Sequence, residues 1–158
     1  MNSSVAIICH KNKILLFHRD NSTKISYPDC WQLPGGIIEE GETPLKALKR
    51  ELSEEVTFVP KNIDFLGKIK TNEGHSYIFL SFVNDRDSKK FKHRKGEGQE
   101  IGFFTLEEAL NLKLTPNLKK AIVKFKNIIP FNLNNFPAFE SSIVRKFISK
   151  HILPSFTQ

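Results

Sequence analysis

The chain has 158 residues, 39% of them hydrophobic and fourteen of them phenylalanine, and a net charge of +7. That length fits one domain with a short appendage, and a domain of this size buries roughly 68–70% of its unfolded surface. Apolar runs fall far short of the ~20 residues that cross a bilayer, and the start, Met1-Asn2-Ser3-Ser4, lacks the form of a signal peptide, so a membrane role is excluded and a cytoplasmic setting is expected.

The two cysteines, Cys9 and Cys30, lack metal-ligand spacing and are expected to be reduced. Charge is uneven: residues 116–158 hold seven Lys or Arg against the single acid Glu140, and Arg86 with residues 89–95 forms a second basic cluster. Basic surfaces favour polyanions such as nucleotides or RNA, although lysines on a helix face are often merely solvating.

In chain order, the apolar stretches 5–9 and 14–18 predict two strands around the tight turn Lys11-Asn12-Lys13. Residues 20–29 are polar and contain Pro28, which predicts a loop. Residues 31–33 read as a short strand leading into the glycine pair Gly35-Gly36. Thr43 suits an N-cap and Pro44 the first helical position, so a helix is expected over 44–56. Its Leu45, Leu48, Leu52 and Val56 form one apolar stripe. Strands follow over 63–71 and 76–84 around Asn72-Glu73-Gly74, then a charged loop over 86–99 and a strand over 101–104. Thr105 caps a short helix over 106–110, and another helix is expected over 117–125.

Strands around one long helix, with later helices on the far side, predict an α/β sandwich. The domain is expected to span 1–127 and a linker with an amphipathic helix 128–158. In that last helix Ile143, Val144, Phe147, Ile148 and Ile152 share one face. Packing on its own domain is the simplest use of such a face; a partner subunit and the substrate cleft are the others.

The chemistry concentrates after Gly36. Five residues separate it from Glu42, and seven more separate Glu42 from Arg50-Glu51-Leu52-Ser53-Glu54-Glu55. At ~100° per residue, Glu51, Glu54 and Glu55 fall within an arc of about 100° beside the apolar stripe. Carboxylates this close repel one another and favour proton uptake or a bound cation. Hard oxygen donors without thiol or imidazole suit magnesium or manganese rather than zinc. Arg50 lies one turn before Glu54 and can pair with it. The Gly35 carbonyl is a further candidate ligand, because glycine lets the chain approach closely. A glutamate-rich helix alone is usually a solvated face. The turn glycines, the spaced Glu42, the helix start and the carboxylate cluster together indicate divalent metal held against a phosphate chain.

Residues 36–58 resemble the Nudix box of the Nudix hydrolases, and Trp31-Gln32-Leu33-Pro34-Gly35 resembles that family's lead-in. The likeness extends more loosely over 4–126. Thr57 departs from the pattern: the family usually has glycine there, which ends the helix in a left-handed conformation that a β-branched residue resists.

The resemblance implies an α/β/α Nudix fold with a mixed sheet and Mg2+, or alternatively Mn2+, as cofactor. It implies Glu51, Glu55 and then Glu54 as metal ligands, with Gly36 and Glu42 anchoring the loop. The family often recruits an acid from a later loop. Here Glu97, in Gly96-Glu97-Gly98-Gln99, competes with Glu100. Glu97 is preferred as ligand or general base, because its glycines give it mobility and its context resembles the MutT-like branch. Glu51, Glu54 and Glu97 stay open as the group that takes the water proton. Asn117 resembles an asparagine that reads a purine edge, with an N-cap role as its rival. Phe79 and Tyr77 are candidates to stack on a base, though strand aromatics are more often core. His18, Arg19 and the lysines around Lys92 are candidates for phosphate contacts.

The leading expectation is cleavage of a nucleoside triphosphate, an oxidised purine deoxynucleotide among them, to the monophosphate and pyrophosphate. Removal of pyrophosphate from an RNA 5′ end is the alternative suggested by the basic tail and Trp31-Gln32, although that branch commonly has an extra glutamine that is absent here. Nucleotide sugars and dinucleoside polyphosphates follow from fold analogy. A non-enzymatic nucleotide sensor is disfavoured, since no box carboxylate is lost. Monomer and homodimer are both left open.

Overall fold

The run Ser3–His10 is apolar on both faces, as a strand covered from both sides must be. In the computed structural model, which describes residues 1–125, it is β1 at the centre of a mixed sheet. The linker and last helix expected over 128–158 lie outside the described residues.

β1 turns at Lys11, whose φ is 53°, into β2 (Lys13–His18). The other elements are β3 (Trp31–Gln32), β4 (Gly35–Ile37), α1 (Pro44–Glu55), β5 (Asp64–Lys70), β6 (His75–Phe82), α2 (Asp85–Ser88), β7 (Glu100–Thr105), α3 (Leu106–Leu110) and α4 (Pro116–Phe125). The main path runs β3-β2-β1-β6-β5, with β4 added to β1 and β7 to β2. β1 and β6 are parallel; the other strand pairs are antiparallel.

The two halves of the sheet part just after the β1–β2 hairpin. β1 pairs with β2 only at Cys9 and His10, and β4 then takes its edge at Ser3, Ser4 and Val5. β2 keeps β7 on one side and meets β3 at Phe17 and His18 on the other. The chain crosses the gap through Leu33-Pro34, where the Pro34 carbonyl accepts from the Ala6 N–H at 3.0 Å. Gly35 and the residues that follow it emerge from this split.

Strand alternation sends side chains to two cores. Ala6, Ile8, Leu15 and Phe79 meet Leu48, Leu52 and Val56 of α1. Ile7, Cys9, Leu16, Ile78 and Leu80 meet Ala109 of α3 and Leu118, Ala121, Ile122 and Phe125 of α4. The three layers are the expected α/β/α sandwich. Burial also pushes the Cys9 thiol up to about 12, so it stays protonated in this core.

Local signals explain the helices. Thr43 caps α1 by accepting from the Lys46 N–H at 3.3 Å, and Pro44 sits in its first turn. Thr105 and Glu108 form a reciprocal capping box on α3. Two expectations need correction. The charged stretch 86–99 overlaps a single helical turn, α2, which Asn84 caps through the Asp87 N–H. The glycine pair is not only a bend: Gly35 and Gly36 lie in β4, opposite Val5 and Ser4.

Candidate active site

Helix α1 carries the acids past β4. Arg50 is the hub, half-buried and spent on several acceptors. Its Nε and Nη2 grip Glu42 at 2.9 and 3.0 Å, its Nη1 donates to Glu51 Oε1 at 2.7 Å, and Nη2 also reaches the Ile37 carbonyl at 3.0 Å. This two-point grip holds Glu42 at about 2, with the Arg50 hydrogen bond as first cause and the Glu39 N–H as second. Glu42 thus ties the loop after β4 to α1. Arg50 lies 3.5 Å from Glu54, so the expected i,i+4 pair is present but is weaker than its pairs with Glu42 and Glu51.

Glu51 lies against the backbone of β4. A β-carbon on Gly36 would stand 2.6 Å from its carboxylate, so a larger residue there must push the Glu51 side chain aside. Burial raises the Glu51 pKa, against the opposing pull of Arg50. Glu55 is deeper, 6% exposed, and accepts the Gly35 N–H at 2.8 Å. Burial first, then the charges of Glu51 and Glu97, push its pKa up to about 8, while the Gly35 N–H and Arg19 pull the other way. Gly35 itself is at φ 131°, and a β-carbon there would run into the Ser4 carbonyl oxygen.

Helix α1 ends with Val56 as its cap, and Thr57 takes φ 59°. The departure from glycine therefore keeps the left-handed exit at the expense of strain, rather than re-routing the chain. The Lys92 N–H bonds the Val56 carbonyl at 3.0 Å and Arg94 N–H the Glu55 carbonyl at 3.4 Å, so the loop bearing Glu97 is laced to the end of α1.

A cavity of about 540 Å³ opens on the α4 side of the split sheet. Arg19, Gln32, Leu33, Gly35 and Gly36 line one part of it, and Asn117 and Lys120 of α4 another. Arg19 is already occupied: it donates to the Ser26 carbonyl at 2.7 Å, the Tyr27 carbonyl at 3.2 Å and Gln32 Oε1 at 2.8 Å. Asn117 lines the cavity as a half-buried residue in the first turn of α4. It is not the cap, because Thr115 Oγ1 accepts the Leu118 N–H at 3.3 Å. Phe79 is corrected. Its neighbour Ile78 lines the cavity, whereas Phe79, 5% exposed, packs under α1, because adjacent strand residues face opposite ways. Tyr77 shares the Phe79 side.

The structure brings Glu51, Glu55, Arg50, Glu42, Gly35 and Gly36 into one cluster, with Glu97 close enough to act on the charge of Glu55. Among the described residues no three His, Cys, Asp or Glu side chains stand at ligating distance as positioned. The donor set nevertheless fits a hard divalent cation: a carboxylate raised first by burial and then by neighbouring carboxylates is the group a cation relieves. The side chain of Glu54 is 47% exposed, and Glu97 is also exposed, so an ion from solvent reaches both.

Sequence reading missed a second constellation. His18 stacks on Trp31 with ring centroids 4.5 Å apart and contacts Asp29 Oδ1 at 3.0 Å, and Gln99 Nε2 donates to that same oxygen at 3.0 Å. The one sequence cue was the glutamine directly after Gly98.

Buried Glu55 and half-buried Glu51 on one helix, a strand of two glycines and an adjoining cavity thus meet at the split of a mixed sheet. The NUDIX domain family model matches residues 2–125, and the chain belongs to that family, whose members generally need divalent metal ions. It is 32% identical over 126 residues to an ADP-ribose pyrophosphatase of Methanocaldococcus jannaschii, covering 77% of this chain and 72% of that protein. It is 37% identical over 82 residues to an 8-oxo-dGTP diphosphatase of Haemophilus influenzae, 51% of this chain and 57% of the relative. A match to an RNA pyrophosphohydrolase of Hydrogenovibrio crunogenus reaches 48% identity over only 28% of this chain and 27% of that one. The NUDIX domain of Shewanella oneidensis NrtR, solved with ADP ribose, shares the fold with a TM-score of 0.67 at 19% identity, over 80% of this chain and 86% of that one. No described helix is long and apolar enough to cross a membrane.

Proposed function

We propose that this chain is a magnesium-dependent pyrophosphohydrolase that splits a nucleoside triphosphate, an oxidised purine deoxynucleotide among its substrates, into the monophosphate and pyrophosphate. Manganese is the alternative ion, and the cytoplasm is the setting. The observation that carries the reading is that Gly35, Gly36 and Arg19 line the same cavity as Asn117. Its ~540 Å³ lies in the range of pockets that enclose a small ligand.

In this reading Asn117 meets the edge of the base and the phosphates run toward β4. Arg19 exchanges a carbonyl partner for a phosphate oxygen, a stronger charge-assisted bond. Glu51, Glu54, Glu55 and Glu97, with the Gly35 carbonyl, hold the ion, which when bound neutralises phosphate charge and lowers the pKa of water. Glu55 must shed its proton to serve. Arg50 keeps Glu51 aimed, and Glu42 keeps Arg50 in place. Glu97 and Glu54 are the exposed acids able to take a proton from the attacking water. The test is pyrophosphate release from a nucleotide panel with magnesium, with Glu54→Gln and Glu55→Gln alongside. Unchanged turnover in both variants would rule out this site.

A second reading is cleavage of a nucleoside diphosphate joined to a sugar. It is favoured by the archaeal relative, whose likeness extends over 77% of this chain. Products separate the two: AMP and ribose phosphate from ADP-ribose, pyrophosphate from a triphosphate. The RNA reading rests on relatives alike over 28% and 44% of this chain, and a flat dependence of binding on salt would remove it.

A further inference from the structure

The loop that bears Glu97 is fastened at its far end by the side chain and the backbone of Gln99. Gln99 Nε2 donates to the Arg19 carbonyl at 2.7 Å and to Asp29 Oδ1 at 3.0 Å, and lies 3.4 Å from His18 Nε2. Its backbone N–H adds a bond to the His18 carbonyl at 2.8 Å. Gly98, at φ 61°, lets the loop press on Phe17 and the His18 carbonyl, where a β-carbon would collide with both. On the other side His93 Nε2 meets the Glu97 carbonyl at 2.8 Å. Glu97 is therefore held between two fastenings.

We propose that Gln99 is a positioning residue that sets where the Glu97 carboxylate stands, with Asp29 as its anchor. The inference rests on the reading of Glu97 as an active-site acid. Three features give it content. Gln99 is exposed and fills no core, so its side chain is not there for packing. Its partners are an acid and a carbonyl that flank the 20–29 loop, part of which, Ile25, Ser26 and Tyr27, lines the cavity. Asp29 is held at φ 57°, a conformation a non-glycine residue adopts under strain, and its own N–H is tied to the Asp20 carbonyl at 2.9 Å, so the anchor is fixed before Gln99 reaches it. The Asp29 carboxyl is also held below its ordinary range, first by the hydrogen bond from Gln99. Gln99 thus joins the wall of the substrate cavity to the loop of the late acid.

The test is Gln99→Leu in the full chain, alone and combined with Glu97→Gln. Losing the fastening is expected to lower kcat about tenfold, the order associated with one hydrogen bond of ordinary net strength, with KM within about twofold. In the Glu97→Gln background the same change is expected to add nothing, because the acid it aims is gone. Amide exchange in the metal-free protein is expected to quicken about tenfold at residues 97–99, without a change in melting temperature. Unaltered exchange there overturns the fastening whatever the activity. A kcat loss that multiplies with that of Glu97→Gln, or a joint change of KM and melting temperature, overturns the positioning role. Full activity in Glu97→Gln alone is the separate failure of the reading beneath it.

Discussion

Gly36 of β4 and Glu51 of α1 occupy one another's space: a β-carbon on Gly36 would lie 2.6 Å from the Glu51 carboxylate. The strand thus fixes how close an acid on the helix may come. Gly36→Ala is expected to displace Glu51 and reduce kcat on the order of 100-fold, as misplacement by about 1 Å can. Steady-state kinetics with circular dichroism as a fold control measures it; full activity in the alanine variant would remove Glu51 from the reacting centre.

Arg50 grips Glu42 through two nitrogens and Glu51 through a third. A lysine has one charged nitrogen and cannot reproduce that planar fork. Arg50→Lys is therefore expected to lose at least tenfold in kcat despite keeping its charge. Turnover close to that of the parent would show that charge alone suffices.

Glu55 carries the clearest pH signature. Its folded pKa, about 8, lies above the ordinary carboxyl value, so the fold favours the protonated form. The resulting stability is complete below the unfolded pKa and is lost as pH rises through about 8. The melting temperature of the metal-free protein is expected to fall between pH 5.5 and 8.5, and Glu55→Gln to flatten that slope. Glu42 has the opposite sign: its contribution is present above the ordinary carboxyl pKa and is lost as pH falls through about 2. A slope that survives Glu55→Gln would point to another group.

Thr57 sits at φ 59°, where a β-branched residue is strained by about 1–2 kcal/mol. Thr57→Gly relieves that strain, offset in part by glycine's greater freedom when unfolded. A net gain of about 0.5–1 kcal/mol in denaturant unfolding is expected, with activity unchanged. A loss of stability would mean that the 3.4 Å contact from Thr57 Oγ1 to the Lys92 carbonyl outweighs the strain.

What was legible in the sequence was local. Thr43, Pro44 and the Leu48–Leu52–Val56 stripe define α1, and the intervals from Gly36 to Glu55 place the acids on one side of it. Phe79 was misread because composition does not reveal strand parity: the register of β6 against β1 decides that Ile78, not Phe79, faces the cavity. β4 was missed because two glycines carry no strand signal and are recruited by the edge of β1. The joint of His18, Asp29 and Gln99 brings Gln99 to residues 70 and 81 positions away, which no local pattern encodes.

The most direct measurement is calorimetric titration of the purified protein with magnesium and manganese, with and without nucleotide, beside Glu51→Gln and Glu55→Gln. Ion uptake by the parent, sharply weakened in both variants, is the predicted result. Absence of uptake by the parent, or undiminished uptake by both variants, would contradict the claim that the α1 carboxylates hold the ion.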